Sequence, residues 1–109
     1  MELSKKVELK VVSDSMMPLI PIGAMLEVEP SEDYELFDIV LFKVKDKMYC
    51  HYIWKINSKI DKDYLVTRSL KTAEEDFPIH QNQILGVVRN FRIGKLKRAM
   101  LLLERALCK

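Results

Sequence analysis

Cysteine is nearly absent from this chain, and the two that occur, Cys50 and Cys108, are far apart. They lack the spacing of a metal site or a disulfide framework. No metal or other cofactor is therefore expected, and nothing calls for an oxidising compartment. Long hydrophobic runs are missing as well: no stretch approaches the roughly 18 consecutive apolar residues of a membrane span. Met1 to Lys10 is charged and alternating, without the apolar centre of a signal peptide. Charge of one sign is not in excess either. A net charge of +2 is too small to argue for nucleic acid or an acidic substrate as partner. There are no repeats, low-complexity tracts or interdomain linkers. The expected location is cytoplasmic. Membrane contact is expected only through a C-terminal helix or a partner protein.

What remains is ordinary globular material. The 109 residues, 49% apolar and 31% charged, suffice for one domain with its own core. Val7, Leu9 and Val11 alternate with other residues and predict a first strand. Pro18 and Pro21 keep Leu19 to Ile22 irregular. Met25 to Glu29 alternates again. Phe37 to Val44 is rich in β-branched and aromatic residues and predicts a strand, with Met48 to Ile56 as its hairpin partner across Lys45-Asp46-Lys47. Tyr64 to Ser69 is a further short strand, and Leu70 to Asn82, with mixed charge and Pro78, reads as loop. Ile84 to Ile93 closes the series, with Gly86 as a bulge candidate.

Short strands joined by turns predict a mainly β fold, an antiparallel barrel or sandwich, over residues 1–94. Residues 95–109 differ. Leu96, Met100, Leu103 and Leu107 recur at helical spacing among Lys97, Arg98, Glu104 and Arg105. This amphipathic helix fits packing on the β domain, and its basic residues and leucine stripe also fit a monotopic surface helix or a partner-helix seam.

The stretch that carries chemistry is Ser13-Asp14-Ser15-Met16-Met17-Pro18, where the first strand breaks. A serine hydroxyl is a weak nucleophile until a neighbouring base takes its proton. Histidine suits that role near neutral pH. His51 lies in a predicted strand, where side-chain direction is fixed; His80 lies in the polar loop and is expected to be solvated. Lysine is the other candidate base. Met16 and Met17 read as core and pocket lining rather than metal ligands, and Trp54 as core or groove wall.

Four segments in order, Ser15-Met16-Met17-Pro18, Phe37 to Phe42, Cys50 to Ile53 and Ile84 to Val88, resemble the boxes of the type I signal peptidase and LexA-type repressor superfamily. The resemblance covers about positions 11 to 89. It implies Ser15 as nucleophile and His51 as base, as in the serine–histidine branch; Lys55 is four residues late for the matching lysine. It implies Asp76 as the acid that orients His51, with Glu74 and Glu75 as adjacent alternatives. The Ser15 N–H and the Ser13 hydroxyl would bind the oxyanion, and Met16, Met17 and Pro18 would line the substrate groove. The sequence departs from the family pattern in several places. Ser69-Leu70 stands for a glycine-aspartate pair, Gly23-Ala24 for another, and Phe37 replaces a turn glycine, so that corner is expected to differ locally. The family's membrane anchor is missing from the chain as read.

The function these residues predict is a serine endopeptidase acting on an extended peptide or protein substrate, with small side chains before the scissile bond implied by the resemblance. A catalytically inactive peptide-binding module of the same fold is the alternative. A self-cleaving repressor-like domain fits less well, because neither a DNA-binding helical region nor an alanine-glycine cleavage site is evident.

Overall fold

The computed structural model describes residues 7–10, 16–17, 19–31, 33–57, 64–71 and 75–107. Ser13, Ser15, Pro18, Glu74 and Cys108 lie outside the described residues. The strands are β1 (Val7–Lys10), β2 (Met25–Glu29), β3 (Ile39–Val44), β4 (Lys47–Asn57), β5 (Tyr64–Arg68), β6 (Ile79–His80) and β7 (Ile84–Val88), followed by helix α1 (Lys95–Leu107). The fold is mainly β with one C-terminal helix, as the sequence predicts. All pairings are antiparallel and run through one sheet in the order β1-β2-β7-β3-β4-β5-β6.

That sheet curls strongly. In a flat sheet β7 and β6 would stand four strand spacings apart, about 19 Å. Yet a 3-10 turn of only three residues, Gln81–Gln83, joins them, and the chain from His80 to Ile84 reaches at most about 14 Å. The strands from β7 to β6 therefore wrap around a core of Val40, Phe42, Ile53, Leu65, Ile79, Ile84 and Val87. This curled single sheet is the form taken by the fold expected as an antiparallel barrel or sandwich. The other face carries Leu26, Val28, Ile39, Leu41, Tyr52 and Trp54, covered by Met16, Ile20, Phe37, Ile93 and Leu101.

Two irregularities shape these faces. Ile53 pairs with Thr67 and Lys55 with Val66, so Trp54 is an extra residue in β4. Leu41 pairs with Gly86 and Phe42 with Ile84, so Leu85 is an extra residue in β7, beside the glycine flagged as a bulge candidate. Gly86 is required by close approach: a Cβ there would sit 2.6 Å from Val28 Cγ1 and 2.8 Å from the Glu29 carbonyl oxygen.

Several boundaries shift from the sequence reading. The strand predicted from Phe37 begins at Ile39, because Phe37 takes φ 73° in the corner before it. The left-handed conformation that favours glycine is thus adopted by a phenylalanine, at a cost of about 1–2 kcal/mol. Burial of its ring against Tyr52 (centroids 6.3 Å) and a hydrogen bond from its N–H to the Ile53 carbonyl (2.8 Å) offset the strain. The last strand ends at Val88, five residues short of Ile93. There the Asn90 side chain takes over the edge of β2, accepting from Glu27 N (2.9 Å) and donating to the Met25 carbonyl (2.8 Å). The segment read as loop contains β6 and an isolated bridge, Arg68 to Glu75.

Helix α1 packs on the β domain through a face other than its leucine stripe. Its leucine stripe faces outward: Leu96 is 78% exposed, Met100 56% and Leu103 60%. Leu101 and the arginines turn inward instead. The Arg105 guanidinium lies 4.4 Å from the Trp54 ring centre, with Arg68 at 4.0 Å from the same ring, and Arg98 sits 5.7 Å from the Phe37 ring. Cations are attracted to the π faces of such rings. Arg68 Nη2 also donates to Glu104 Oε2 of the helix at 2.9 Å. Among the described residues no helix is long and apolar enough to cross a membrane.

Candidate active site

His51 is placed by β4. It pairs with Val40 of β3, and two residues later Ile53 pairs with Thr67 of β5. Residues two apart on a strand, and residues directly across a ladder, share a face. His51 and Thr67 therefore both project to the concave side of the curl. The imidazole is buried, with Phe42 and Tyr49 ring centres at 5.9 and 6.0 Å.

On the next segment Asp76 meets them. His51 Nδ1 lies 2.6 Å from Asp76 Oδ2, and Thr67 Oγ1 donates to the same oxygen at 2.7 Å. The Asp76 N–H in turn donates to the Thr67 carbonyl at 2.9 Å, so threonine fixes both the main chain and the carboxylate of the acid. Burial raises the Asp76 carboxyl pKa, but the hydrogen bonds from His51 and Thr67 and the attraction of the imidazole together outweigh it. The net direction is below the ordinary 3.8. An ionised carboxylate only accepts hydrogen bonds. Nδ1 therefore carries the proton, and in the neutral ring Nε2 is left with a lone pair for another donor.

The alternatives go elsewhere. Glu75 accepts from Trp54 Nε1 (2.9 Å) and pairs with Lys55 Nζ (3.1 Å). The Lys55 hydrogen bond leads the effects that hold its carboxyl below the usual range, against a smaller opposing effect of burial. Lys55 is thus engaged with Glu75. Its neighbour Glu74 lies outside the described residues. His80 is half-buried rather than solvated: its Nδ1 accepts from Asn82 N at 3.2 Å, and its ring stands 5.1 Å from that of Tyr64. It caps the 3-10 turn.

Burial pushes the Cys50 thiol up to about 12, so it is protonated at neutral pH and is a poor nucleophile. Among the described residues no group of His, Cys, Asp and Glu could hold a metal ion. Met16 is fully buried in the core with Tyr52 and Trp54 rather than open to a groove, while Met17 is partly exposed. The turn they begin is closed by Ile20 N donating to the Met16 carbonyl at 2.9 Å. Ser15 directly precedes this turn in sequence.

Cavities flank the sheet among the described residues. One of about 360 Å³ lies beside Asp76 and is walled by Phe42, Tyr49 and Phe77. A larger one, about 470 Å³, is bordered by Asp33, Glu35, Arg89, Arg92 and Arg98 and contains none of the candidate residues.

Thr67 is the site residue that sequence reasoning missed. Its only signal was its place on the strand predicted to follow that of His51. Compared with protein families, the chain matches the model described as Peptidase S24-like over residues 3–89, a span that includes His51, Thr67 and Asp76 and ends before α1. Neither the curated proteins nor the solved structures yield a match.

Proposed function

The chain belongs to the Peptidase S24-like family, of the LexA-like and signal peptidase superfamily, and we propose that it is a serine peptidase with Ser15 as nucleophile, His51 as general base and Asp76 as the group that orients His51. The observation that carries this reading is the 2.6 Å contact of His51 Nδ1 with Asp76. It fixes the tautomer that leaves Nε2 to accept a proton, as a catalytic base requires.

In this mechanism His51 Nε2 takes the Ser15 hydroxyl proton as Oγ attacks the peptide carbonyl. The Ser15 N–H and the Ser13 hydroxyl stabilise the oxyanion, a donor of this kind being worth about 3 kcal/mol in the transition state. The imidazolium then protonates the leaving amine, and water activated by His51 hydrolyses the acyl-enzyme. Among the described residues, Lys47–Cys50 of β4 pair with β3 alone, since the ladder to β5 begins at Tyr52. An extended substrate would add beside this part of β4, its main chain supplying affinity.

The test is incubation with a proteome-derived peptide library and mass spectrometry of the new termini. Wild-type protein should generate cleavages that Ser15→Ala and His51→Ala do not. Asp76→Asn, which can stabilise the wrong tautomer, should lose roughly 10³- to 10⁴-fold in kcat. Identical cleavage by all four proteins would overturn the assignment.

A further inference from the structure

We infer that the cavity beside Asp76 is a subsite for one bulky apolar side chain of the substrate, leucine-like or aromatic; this rests on the peptidase reading above. Phe77, the residue after Asp76, is 91% exposed. Its ring stands at the border of the cavity, where an incoming apolar group can cover it. Phe42 and Tyr49 stack at 5.6 Å and 22°, and both rings lie against His51. The same aromatic pair therefore borders both the imidazole and the cavity.

The volume of about 360 Å³ is at the small end for ligand pockets, and one bulky side chain fits within it. Val44 and Ile79 extend the apolar lining. The polar groups at its border are already engaged. Glu75 is held by Lys55 and Trp54, and Asp76 by His51 and Thr67. Gln83 accepts from His80 N and donates to the Lys43 carbonyl. An acidic side chain would meet the Glu75 and Asp76 carboxylates, whereas an apolar one is matched by the Phe42, Val44, Tyr49, Phe77 and Ile79 lining. Tyr49 also lies within the Lys47–Cys50 stretch that, among the described residues, pairs with β3 alone, so a peptide strand added beside it brings a side chain over the cavity.

The experiment uses N-acetylated decapeptide amides of alanine and serine in which Phe, Leu, Ala, Lys or Glu is scanned through each position. Binding is measured on Ser15→Ala protein by fluorescence anisotropy, and cleavage on wild-type protein by mass spectrometry. At one position Phe and Leu should exceed Ala, Lys and Glu by about tenfold or more in affinity and in kcat/KM, the scale on which apolar pockets discriminate. Adding Phe77→Ala should reduce that preference to about threefold or less, and Tyr49→Ala is a second variant should the first fold poorly. Cleavage with no such preference, or a preference for Lys, overturns the subsite and leaves the peptidase. A Phe77-dependent binding preference without cleavage supports the subsite and overturns the peptidase. Neither binding preference nor cleavage overturns both.

Discussion

Thr67→Val isolates one interaction of the candidate site. The side chain is fully buried (0% exposed) and valine nearly matches its shape, so the change removes a hydroxyl and little packing. That hydroxyl donates to Asp76 Oδ2 at 2.7 Å. A hydrogen bond to a charged group contributes about 1.5–3 kcal/mol. The Asp76 side chain is 34% exposed, so water compensates part of the loss and about 1–2 kcal/mol of destabilisation is expected at pH 7.

The pH dependence has a definite sign. The folded-state pKa of Asp76 lies below the ordinary 3.8, so its ionisation stabilises the fold above the unfolded-state value. That stabilisation is lost as pH falls through the depressed folded value. Thr67 supports the carboxylate, so the variant should show a higher Asp76 pKa and a stability deficit that shrinks at acid pH. Urea unfolding across the acid range, with carboxyl-carbon NMR titration of Asp76, measures both. An unmoved Asp76 titration together with a pH-independent deficit would refute the role given to Thr67.

Three other perturbations follow from the packing. Gly86→Ala would drive a methyl against Val28 and the Glu29 backbone; a loss of about 1–3 kcal/mol in chemical denaturation is expected, and an unchanged midpoint would contradict it. Cys50, its thiol pKa raised by burial to about 12, should resist iodoacetamide at neutral pH in folded protein and react on unfolding, as peptide mapping would show. Glu104→Ala leaves the buried Arg68 guanidinium without its carboxylate on α1; with Glu104 itself partly solvated, about 1–2 kcal/mol should be lost, seen in urea unfolding followed by Trp54 fluorescence.

The β3–β4 hairpin was legible because alternation and β-branched residues are local signals, and His51 could be put on its second strand from them. The order of the boxes then pointed to the family. The join between His51 and Asp76 came through that resemblance, since no local pattern brings residues 25 apart into contact. The bulge at Trp54 was not legible. The indole it carries is met by Arg68 from the neighbouring strand and Arg105 from the helix, contacts that no local pattern announces. The same contacts explain why α1 turns its leucines outward: periodicity identifies an apolar stripe but not which face finds the better partner. Phe37 misled in the opposite sense, because side-chain burial let a bulky residue hold a backbone conformation that sequence rules reserve for glycine.

The assignment of Ser15 and His51 is tested most directly by a serine-directed fluorophosphonate. Mass spectrometry of the labelled wild-type protein should show one adduct, mapped to Ser15, with no adduct in Ser15→Ala and labelling slowed by at least about 10²-fold in His51→Ala. An adduct on another residue, or labelling of Ser15 at the same rate without His51, would contradict the account.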